Sequence, residues 1–185
     1  MTNKQDSLLT LIKTRHSGYL YDSNKLVNQA DIITLIEAAR FSPSCFCDEP
    51  WRYIVCNKQI NQNSWEKLLN CLNKSNQKWA KNAQVLIISL SAKNFQKINK
   101  GKNSWAKHDT GAANYALMLQ ATSMNLMAHQ MSGFNKNKII EKFNIPNNFN
   151  IMSVISIGYE EEGVDIKKKI RKPIEEVLFY DEWPK

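Results

Sequence analysis

The sequence predicts an α+β or α/β sandwich in which helices cover both faces of a central sheet. Three short segments rich in β-branched or aromatic residues are typical of core strands, namely Trp51 to Cys56, Gln84 to Leu90 and Ile151 to Tyr159. Segments with apolar residues at helical spacing lie before and between them. Because these strands and helices alternate irregularly, a sheet packed between two helical layers is expected.

The helices are predicted from the spacing of their apolar residues. The first contains the apolar positions of Leu8 to Ile12, and the second lies in ADIITLIEAARF and ends just before Pro43. The longest runs from Thr110 to Leu126, where small residues are abundant, as expected of a helix packed closely on several sides. Because neither an internal repeat nor a Pro/Gly/Ser-rich linker divides the chain, residues 1–185 are expected to form a single domain.

Composition agrees with one domain and indicates its compartment. The chain has 185 residues, of which 43% are hydrophobic, and this is enough for a sizeable core. No run approaches the roughly 20 apolar residues that cross a bilayer, and the first residues lack the apolar region and cleavage site of a signal peptide. A soluble, cytoplasmic protein is therefore expected, with its four cysteines as free thiols.

The net charge of +8 makes a polyanion-binding domain one candidate function. The lysines are scattered, however, and the densest basic run, Lys167 to Lys172, lacks the interleaved aromatic residues of a surface that binds nucleic-acid strands. Most of this charge is therefore interpreted as solvated surface. Neither nucleic acid nor a membrane is an expected partner.

The stretch PSCFCDEPW places Cys45 and Cys47 one residue apart, beside two acidic residues and a tryptophan. A structural zinc site needs a second pair of ligands, whereas the three histidines are scattered along the chain, so no metal site is predicted. A redox pair is typically C-x-x-C at a helix N-terminus, which this proline-bracketed C-x-C is not. From the residues alone, the favoured interpretation is two semi-buried thiols in a turn.

Five segments resemble motifs of the FMN-dependent nitroreductase family, in the same order and across most of the chain. Arg15-His16-Ser17 is similar to the family's flavin-phosphate motif, and SPSCFCDEPWRYIV is similar to its P-S-x-x-N-x-Q-P-W pattern. The other three are NQKWAKNAQVLIIS, HDTGAANYALMLQATSMNLMAHQMSGF, and the last strand IPNNFNIMSVISIGY with the tail RKPIEE. Because five motifs in order are far more specific than any one alone, the chain is identified as a member of this family.

The resemblance implies an α+β fold, a three-layer α-β-α sandwich with a central mixed sheet, in an intertwined homodimer. It also implies an enzyme that transfers hydride from NADPH or NADH to N5 of a bound FMN. A nitroaromatic, a quinone or a similar planar acceptor then takes the electrons in a ping-pong mechanism. The cofactor carries this chemistry, so no catalytic side chain is expected. The preferred nicotinamide and the physiological acceptor stay open, because fold-level similarity does not determine them.

The resemblance assigns several residues to the FMN phosphate. Arg15 and Ser17 offer a guanidinium fork and a hydroxyl from one loop, and Arg171 brings a second guanidinium. His16 is either a contact to the ribityl chain or phosphate, or a surface histidine.

A second set is assigned to the flavin ring. Asn76 carries the amide donor and acceptor that match the pyrimidine edge. The backbone N–H groups of Ser132 and Gly133 face flavin N5 and O4, and Gly133 lets the main chain approach without a Cβ. Tyr19 stands where many relatives have a lysine or arginine near N1 and O2, so it donates only a neutral hydrogen bond. We therefore expect a lower reduction potential, or slower reduction, than a cation would give.

A third set is implied to reach the flavin of the other subunit. It contains Pro43, Ser44, Cys45 and Cys47, which makes PSCFCDEPW a pocket wall in a dimer. Cys47 and Glu49 stand where many members have Asn and Gln, which leaves the polarity of this wall open.

The C-terminal segment from Lys172 to Lys185 resembles an arm that lies across the partner subunit. The polar segment Asn94 to Ser104 is expected to shape the entrance to the pocket. A flavin-binding protein with little turnover, such as a sensor or carrier, remains the alternative to an enzyme, since Tyr19, Cys47 and Glu49 depart from the family pattern.

Overall fold

A four-stranded sheet lies at the centre of the computed structural model, which describes residues 8–184. Its strands are β1 (Trp51–Asn57), β2 (Val85–Ala92), β3 (Met127–Met131) and β4 (Phe149–Gly158), in the spatial order β1-β2-β4-β3. All three pairings are antiparallel. A mixed sheet, as expected from the resemblance, would also contain parallel strand pairs. None is found among the described residues, because each strand runs opposite to its neighbour.

Helices pack on both faces of this sheet. Leu35 and Leu117, from α2 and α5, share one apolar cluster with the sheet, and Leu68, Ala80 and Ile139, from α3, α4 and α6, share the cluster on the opposite face. The three-layer α-β-α sandwich is thus confirmed. The helices are α1 (Thr10–Thr14), α2 (Gln29–Arg40), α3 (Gln62–Leu69), α4 (Lys74–Ala80), α5 (Ala106–Ser123) and α6 (Lys136–Phe143), with short 3₁₀ turns at Cys45–Cys47 and Ile174–Glu176.

Buried polar side chains fix α5 across the sheet. Asn114 of α5 accepts hydrogen bonds at Oδ1 from Tyr53 Oη (3.0 Å) and Ser89 Oγ (2.9 Å). Its Nδ2 donates to Gln130 Oε1 (2.9 Å), which also accepts from Ser153 Oγ (3.0 Å). Tyr53, Ser89, Gln130 and Ser153 lie one on each of the four strands. The network around Asn114 therefore sets the position of α5 over the whole sheet.

The end of α5 shows why the sequence-based boundary at Leu126 is late. Asn125 adopts the left-handed backbone conformation, with a φ of 56°. The backbone N–H of Asn125 donates to Thr122 O (3.1 Å) and that of Leu126 donates to Ala121 O (2.8 Å). This Schellman pattern ends the helix at Ser123. The chain then enters β3, a strand that the sequence did not predict, since MAHQM follows the helix with only a short turn.

The three predicted strands lie within two residues of their expected ends. Helices α3, α4 and α6 were not predicted, because each has eight residues or fewer and is largely polar. Asn61 and Asn135 accept hydrogen bonds from the backbone N–H groups of Ser64 and Lys138 and so cap α3 and α6. Among residues 8–184, no helix is long and apolar enough to cross a membrane.

Candidate functional site

The loop that follows α1 gathers cationic side chains. Arg15 is half-buried, and its Nη1 lies 3.4 Å from Ser17 Oγ, to which it donates. Lys169 Nζ donates to the backbone carbonyl oxygens of Ile12 (3.2 Å) and Lys13 at the end of α1. Burial lowers the pKa of Lys169, and the nearby charges of Arg15 and Arg171 lower it further. We call Arg15, Ser17, Lys169 and Arg171 the cationic cluster.

Arg15 contacts Ser17, and the charges of Arg15 and Arg171 both act on Lys169. Lys169 was missed, because the basic run from Lys167 to Lys172 was interpreted as solvated surface. Its position two residues before Arg171 was the available signal.

His16 is held by the protein on both sides of its ring. Its Nε2 lies 2.8 Å from Glu160 Oε1, and its Nδ1 lies 3.2 Å from the carbonyl oxygen of Thr14. Glu160 Oε1 accepts from Nε2 in the tautomer that carries its hydrogen there. In this arrangement His16 ties the loop to the residues after β4.

Gly18 lets the same loop lie close to β3. Its carbonyl oxygen accepts a hydrogen bond from His129 Nδ1 at 2.9 Å. A Cβ at this position would collide with Met127 Sδ and lie 2.6 Å from Glu160 Oε1. A side chain would therefore separate the loop from the strand.

Three rings pack beside Gly18 and form what we call the aromatic cluster. Trp79 of α4 stacks on His129 of β3, with ring centroids 4.7 Å apart. Tyr19 packs edge-on against both, with centroid distances of 5.1 Å to each. Tyr19 nevertheless remains 56% exposed. Because Trp79 lies one turn from Asn76 on α4, the aromatic cluster links the loop after α1 to the next predicted site residue.

Asn76 and Gly133 are in direct contact. Asn76 Nδ2 donates to Gly133 O at 3.1 Å, and the backbone N–H of Asn73 donates to the same oxygen at 2.9 Å. A Cβ on Gly133 would lie only 2.7 Å from Asn76 Nδ2. The glycine thus permits a close approach of the Asn76 side chain, whereas its predicted approach to the flavin ring stays a prediction. Ser132 is exposed beside it.

The PSCFCDEPW loop has an unusual backbone. Three residues that are not glycine, Phe46, Cys47 and Glu49, have φ values of 54°, 52° and 50°. Such left-handed conformations cost on the order of 1–3 kcal/mol each and persist only where the surroundings impose them. The loop is therefore held in shape by interactions elsewhere.

Buried carboxylates supply those interactions. Asp48 is only 1% exposed, and its Oδ1 accepts from the backbone N–H groups of Gln96 (2.7 Å) and Lys97 (2.9 Å). Its Oδ2 accepts from Asn103 Nδ2 at 3.2 Å. The buried Asp109, in the first turn of α5, accepts from the backbone N–H of Cys45 at 2.9 Å. The loop is thus fastened both to segment 96–103 and to α5.

Segment 94–104 also covers the outer side of this loop. Lys97 Nζ lies 2.5 Å from Glu49 Oε1 and 2.8 Å from the carbonyl oxygen of Cys47. This hydrogen bond to Lys97 lowers the pKa of Glu49 and keeps it ionised. Lys100 Nζ lies 4.0 Å from the centre of the Phe46 ring. The negative charge of Glu49 is therefore paired rather than free.

The cysteines are free thiols, as predicted. Cys45 is half-buried and Cys47 is exposed, while Cys56 and Cys71 are buried, and burial raises the pKa of both buried thiols. Within residues 8–184, no group of three His, Cys, Asp or Glu side chains is placed to hold a metal ion.

The predicted site residues fall into two groups at opposite edges of the sheet. Pro43, Ser44, Cys45 and Cys47 precede β1, whereas Ser132 and Gly133 follow β3. Three strand spacings separate these edges, or about 14 Å. The first group we call the β1-edge group. The second, the β3-edge group, contains Arg15, Tyr19, Asn76, Ser132, Gly133 and the rest of the cationic cluster. Within the described residues, the hydrogen bonds of the β1-edge group run to Asp109 of α5, to Lys97 and to Glu49 of its own loop.

Comparison with known sequences agrees with the motifs. The profile described as “Nitroreductase family” matches residues 12–159. A protein of Staphylococcus haemolyticus with the name “Putative NAD(P)H nitroreductase” is 24% identical over 222 aligned positions, which cover 99% of this chain and 100% of that protein.

Solved structures share the fold along the whole chain. A crystal structure described as an oxidoreductase containing FMN is 27% identical, with a TM-score of 0.86 over 100% of this chain and 99% of that one. A nitroreductase family protein of Clostridium difficile is 24% identical, with a TM-score of 0.78 over 94% and 97% of the two chains. Because the family profile spans most of the sequence and the fold agrees, this protein belongs to the nitroreductase family and is an oxidoreductase.

Proposed function

We propose that this oxidoreductase binds FMN, takes electrons from NADPH or NADH, and passes them to a nitroaromatic, a quinone or a similar planar acceptor. A related structure contains FMN by its description, and a full-length relative is named for NAD(P)H. The observation that carries the proposal is the continuity of the β3-edge group. The loop of Arg15 and Ser17 continues into Gly18 and Tyr19, which contact His129 of the aromatic cluster, and Trp79 of that cluster lies on the same helix as Asn76, which contacts Gly133.

The cationic cluster fits a phosphate dianion. Arg15 and Arg171 offer planar guanidinium groups, Lys169 offers an ammonium, and Ser17 offers a hydroxyl. Burial lowers the pKa of Lys169 in this cluster, and repulsion from Arg15 and Arg171 lowers it further. A bound anion would offset this repulsion, which is why we assign the phosphate of FMN here.

The residues around Gly133 fit the ring of FMN. When bound, FMN supplies a hydride-accepting N5 and two-electron chemistry that no side chain has. Gly133 O accepts a hydrogen bond from Asn76 Nδ2, and this contact orients the Asn76 amide. The same contact therefore also sets the direction of Oδ1. The aromatic cluster offers an apolar wall beside it. We expect the nicotinamide and the acceptor to use the same exposed site in turn, which gives ping-pong kinetics.

We further propose a homodimer in which the β1-edge group completes the site of the partner subunit. One chain separates the two groups by the width of its sheet. The expected arm from Lys172 to Lys185 is described up to Pro184, and Lys185, like residues 1–7, lies outside the described residues. The apolar side chains of the arm are exposed, namely those of Val177, Leu178, Phe179, Tyr180 and Trp183. Such a group of exposed apolar side chains is typical of an interaction surface.

The first test is the visible absorption spectrum of the purified protein, before and after anaerobic addition of NADPH and, separately, of NADH. We expect flavin bands that bleach with at least one donor and return when a quinone is added. A sample without flavin bands, even after incubation with FMN, would contradict the proposal and leave polyanion binding as the candidate.

A flavin protein with little turnover is the second candidate. The observation in its favour is Tyr19, which packs in the aromatic cluster where a cation would stabilise reduced flavin. Flavin bands that do not bleach with either nicotinamide would support this second candidate over the enzyme.

A further inference from the structure

The aromatic cluster contains one imidazole, that of His129, to which the proposed function gives no proton-transfer role. His129 lies half-buried on β3, between the loop that carries Gly18 and the helix that carries Trp79. It contacts the Tyr19 ring as well. His129 therefore lies between two segments that we assign to FMN, the loop after α1 and helix α4.

The hydrogen bond to Gly18 determines which nitrogen can exchange a proton. A carbonyl oxygen only accepts, so Nδ1 of His129 must carry a hydrogen in the contact of 2.9 Å. Within residues 8–184, Nε2 has no hydrogen-bond partner. Nε2 is therefore the nitrogen that is bare in the neutral ring and gains the proton in the charged ring.

The surroundings favour the neutral form of the ring. Burial lowers the pKa of His129, the hydrogen bond to Gly18 raises it, and the charge of Arg15 lowers it again. From the other packed elements, Trp79 of α4 brings no charge and Ser156 of β4 donates to the backbone oxygen of His129 at 3.3 Å. The paired His16 and Glu160 lie on the other side of Gly18.

We propose, on the basis of the FMN-dependent function above, that His129 takes up a proton at Nε2 when the bound flavin is reduced. The donor nicotinamide gives up a hydride and is oxidised, which adds one negative charge to the site. The proton that binds Nε2 comes from solvent, so the net charge of the site returns to its earlier value. His129 thereby supplies the positive charge that Tyr19 cannot, and it releases the proton when the electrons leave.

The test is an NMR titration of the histidine rings in the FMN-loaded protein. The chain has only three histidines, and loss of one signal in His129→Asn or His129→Gln assigns the ring of interest. Chemical reduction with dithionite makes the measurement independent of the nicotinamide. We expect the titration midpoint of His129 to move to higher pH on reduction, while that of the exposed His108 stays in place. An unmoved His129 midpoint would overturn the proposal.

The reduction potential supplies a second readout. Between the two midpoints of His129, the potential of the wild-type protein should fall more steeply with pH than that of His129→Asn, because one more proton accompanies reduction. His108→Asn serves as the matched control and should follow the wild type. If the reduction potential falls equally steeply with pH in all three proteins, the inference is wrong, even where NADPH bleaches the flavin normally. Failure of the wild type to bind FMN would overturn the proposed function as well.

Discussion

At the scale of single residues, Arg15 and Lys169 differ in how many of their N–H donors are available to bind an anion. Lys169 Nζ already donates to two carbonyl oxygens at the end of α1, where the helix dipole favours a cation. Arg15 reaches Ser17 through one nitrogen only, over 3.4 Å. Most of its five N–H donors therefore remain available, and we expect Arg15 to be the stronger contributor to phosphate binding.

Replacement of Arg15 by glutamine should weaken FMN binding. Charge-assisted hydrogen bonds contribute about 1.5–3 kcal/mol, which corresponds to roughly 10- to 150-fold in Kd. Flavin fluorescence on titration with the apoprotein measures this change. Arg40→Gln is the matched control, since Arg40 is exposed on α2, pairs with Glu37 and lies outside the cationic cluster. Equal affinities for the two variants would contradict the assignment of the phosphate to the cationic cluster.

Two glycines should respond to alanine in opposite directions. Gly133→Ala brings a Cβ within 2.7 Å of Asn76 Nδ2 and should lower the free energy of unfolding of the apoprotein by about 1–3 kcal/mol. Gly111→Ala lies in α5 with no atom within 4 Å of the new Cβ, and should raise that free energy by about 0.5–1 kcal/mol. Urea denaturation followed by circular dichroism measures both. A neutral Gly133→Ala would show that the contact with Asn76 relaxes freely.

At the scale of elements, the PSCFCDEPW loop and segment 94–104 form one unit. The strained residues of the loop are held because Asp48 binds two backbone N–H groups and one amide of the segment. Lys97 and Lys100 cover the loop from outside. Segment 94–104, which we expect to shape the entrance, is therefore held by Asp48, a buried carboxylate 48 residues before Gln96 in the sequence.

Asp48→Asn should release this segment without unfolding the sheet. The amide keeps an oxygen for Gln96 and Lys97, but its NH₂ group faces the Asn103 amide, which is also a donor there. A buried donor without a partner costs about 1–3 kcal/mol. We expect faster amide hydrogen exchange in residues 96–103. The exposed Asp165→Asn is the control, and protection equal to wild type in both variants would refute this role of Asp48.

At the scale of the whole molecule, the two edges of the sheet determine how a complete site forms. The β1-edge and β3-edge groups lie three strands apart in one chain, and in the proposed dimer they surround one ligand from two chains. The exposed apolar residues of the C-terminal segment are the surface that we expect to hold the chains together. Phe179 and Trp183 already contact each other, with ring centroids 4.6 Å apart.

Phe179→Asp combined with Trp183→Asp should weaken the dimer, because two charges replace apolar rings that need a covering surface. Sedimentation velocity should show a larger monomer fraction at equal concentration. Lys167→Asp combined with Lys168→Asp adds the same acidic residues at exposed positions outside the arm and should leave the profile unchanged. A double variant of the arm that sediments like wild type would argue against this dimer surface.

The strands β1, β2 and β4, helix α2 and the family motifs were predicted well because each is a local pattern. The period of the apolar residues identified α2 and the strands, and the glycine at position 133 was recognised from its motif. Short elements were missed, since the eight residues of α3 or α6 and the five of β3 carry too little periodicity. The tertiary fold stabilises these elements by burying Trp65, Ile139 and Met131.

By itself, the sequence determined the fold class and the membership in the nitroreductase family, and it named the candidate site residues, because the types and order of residues carry this information along the chain. Only the tertiary structure decided which of them meet. It brought Lys169 to a carbonyl 156 residues earlier, and His129 to one 111 residues earlier. It also separated the β1-edge group from the rest of the site. Such pairings depend on strand order and packing, which no local pattern encodes.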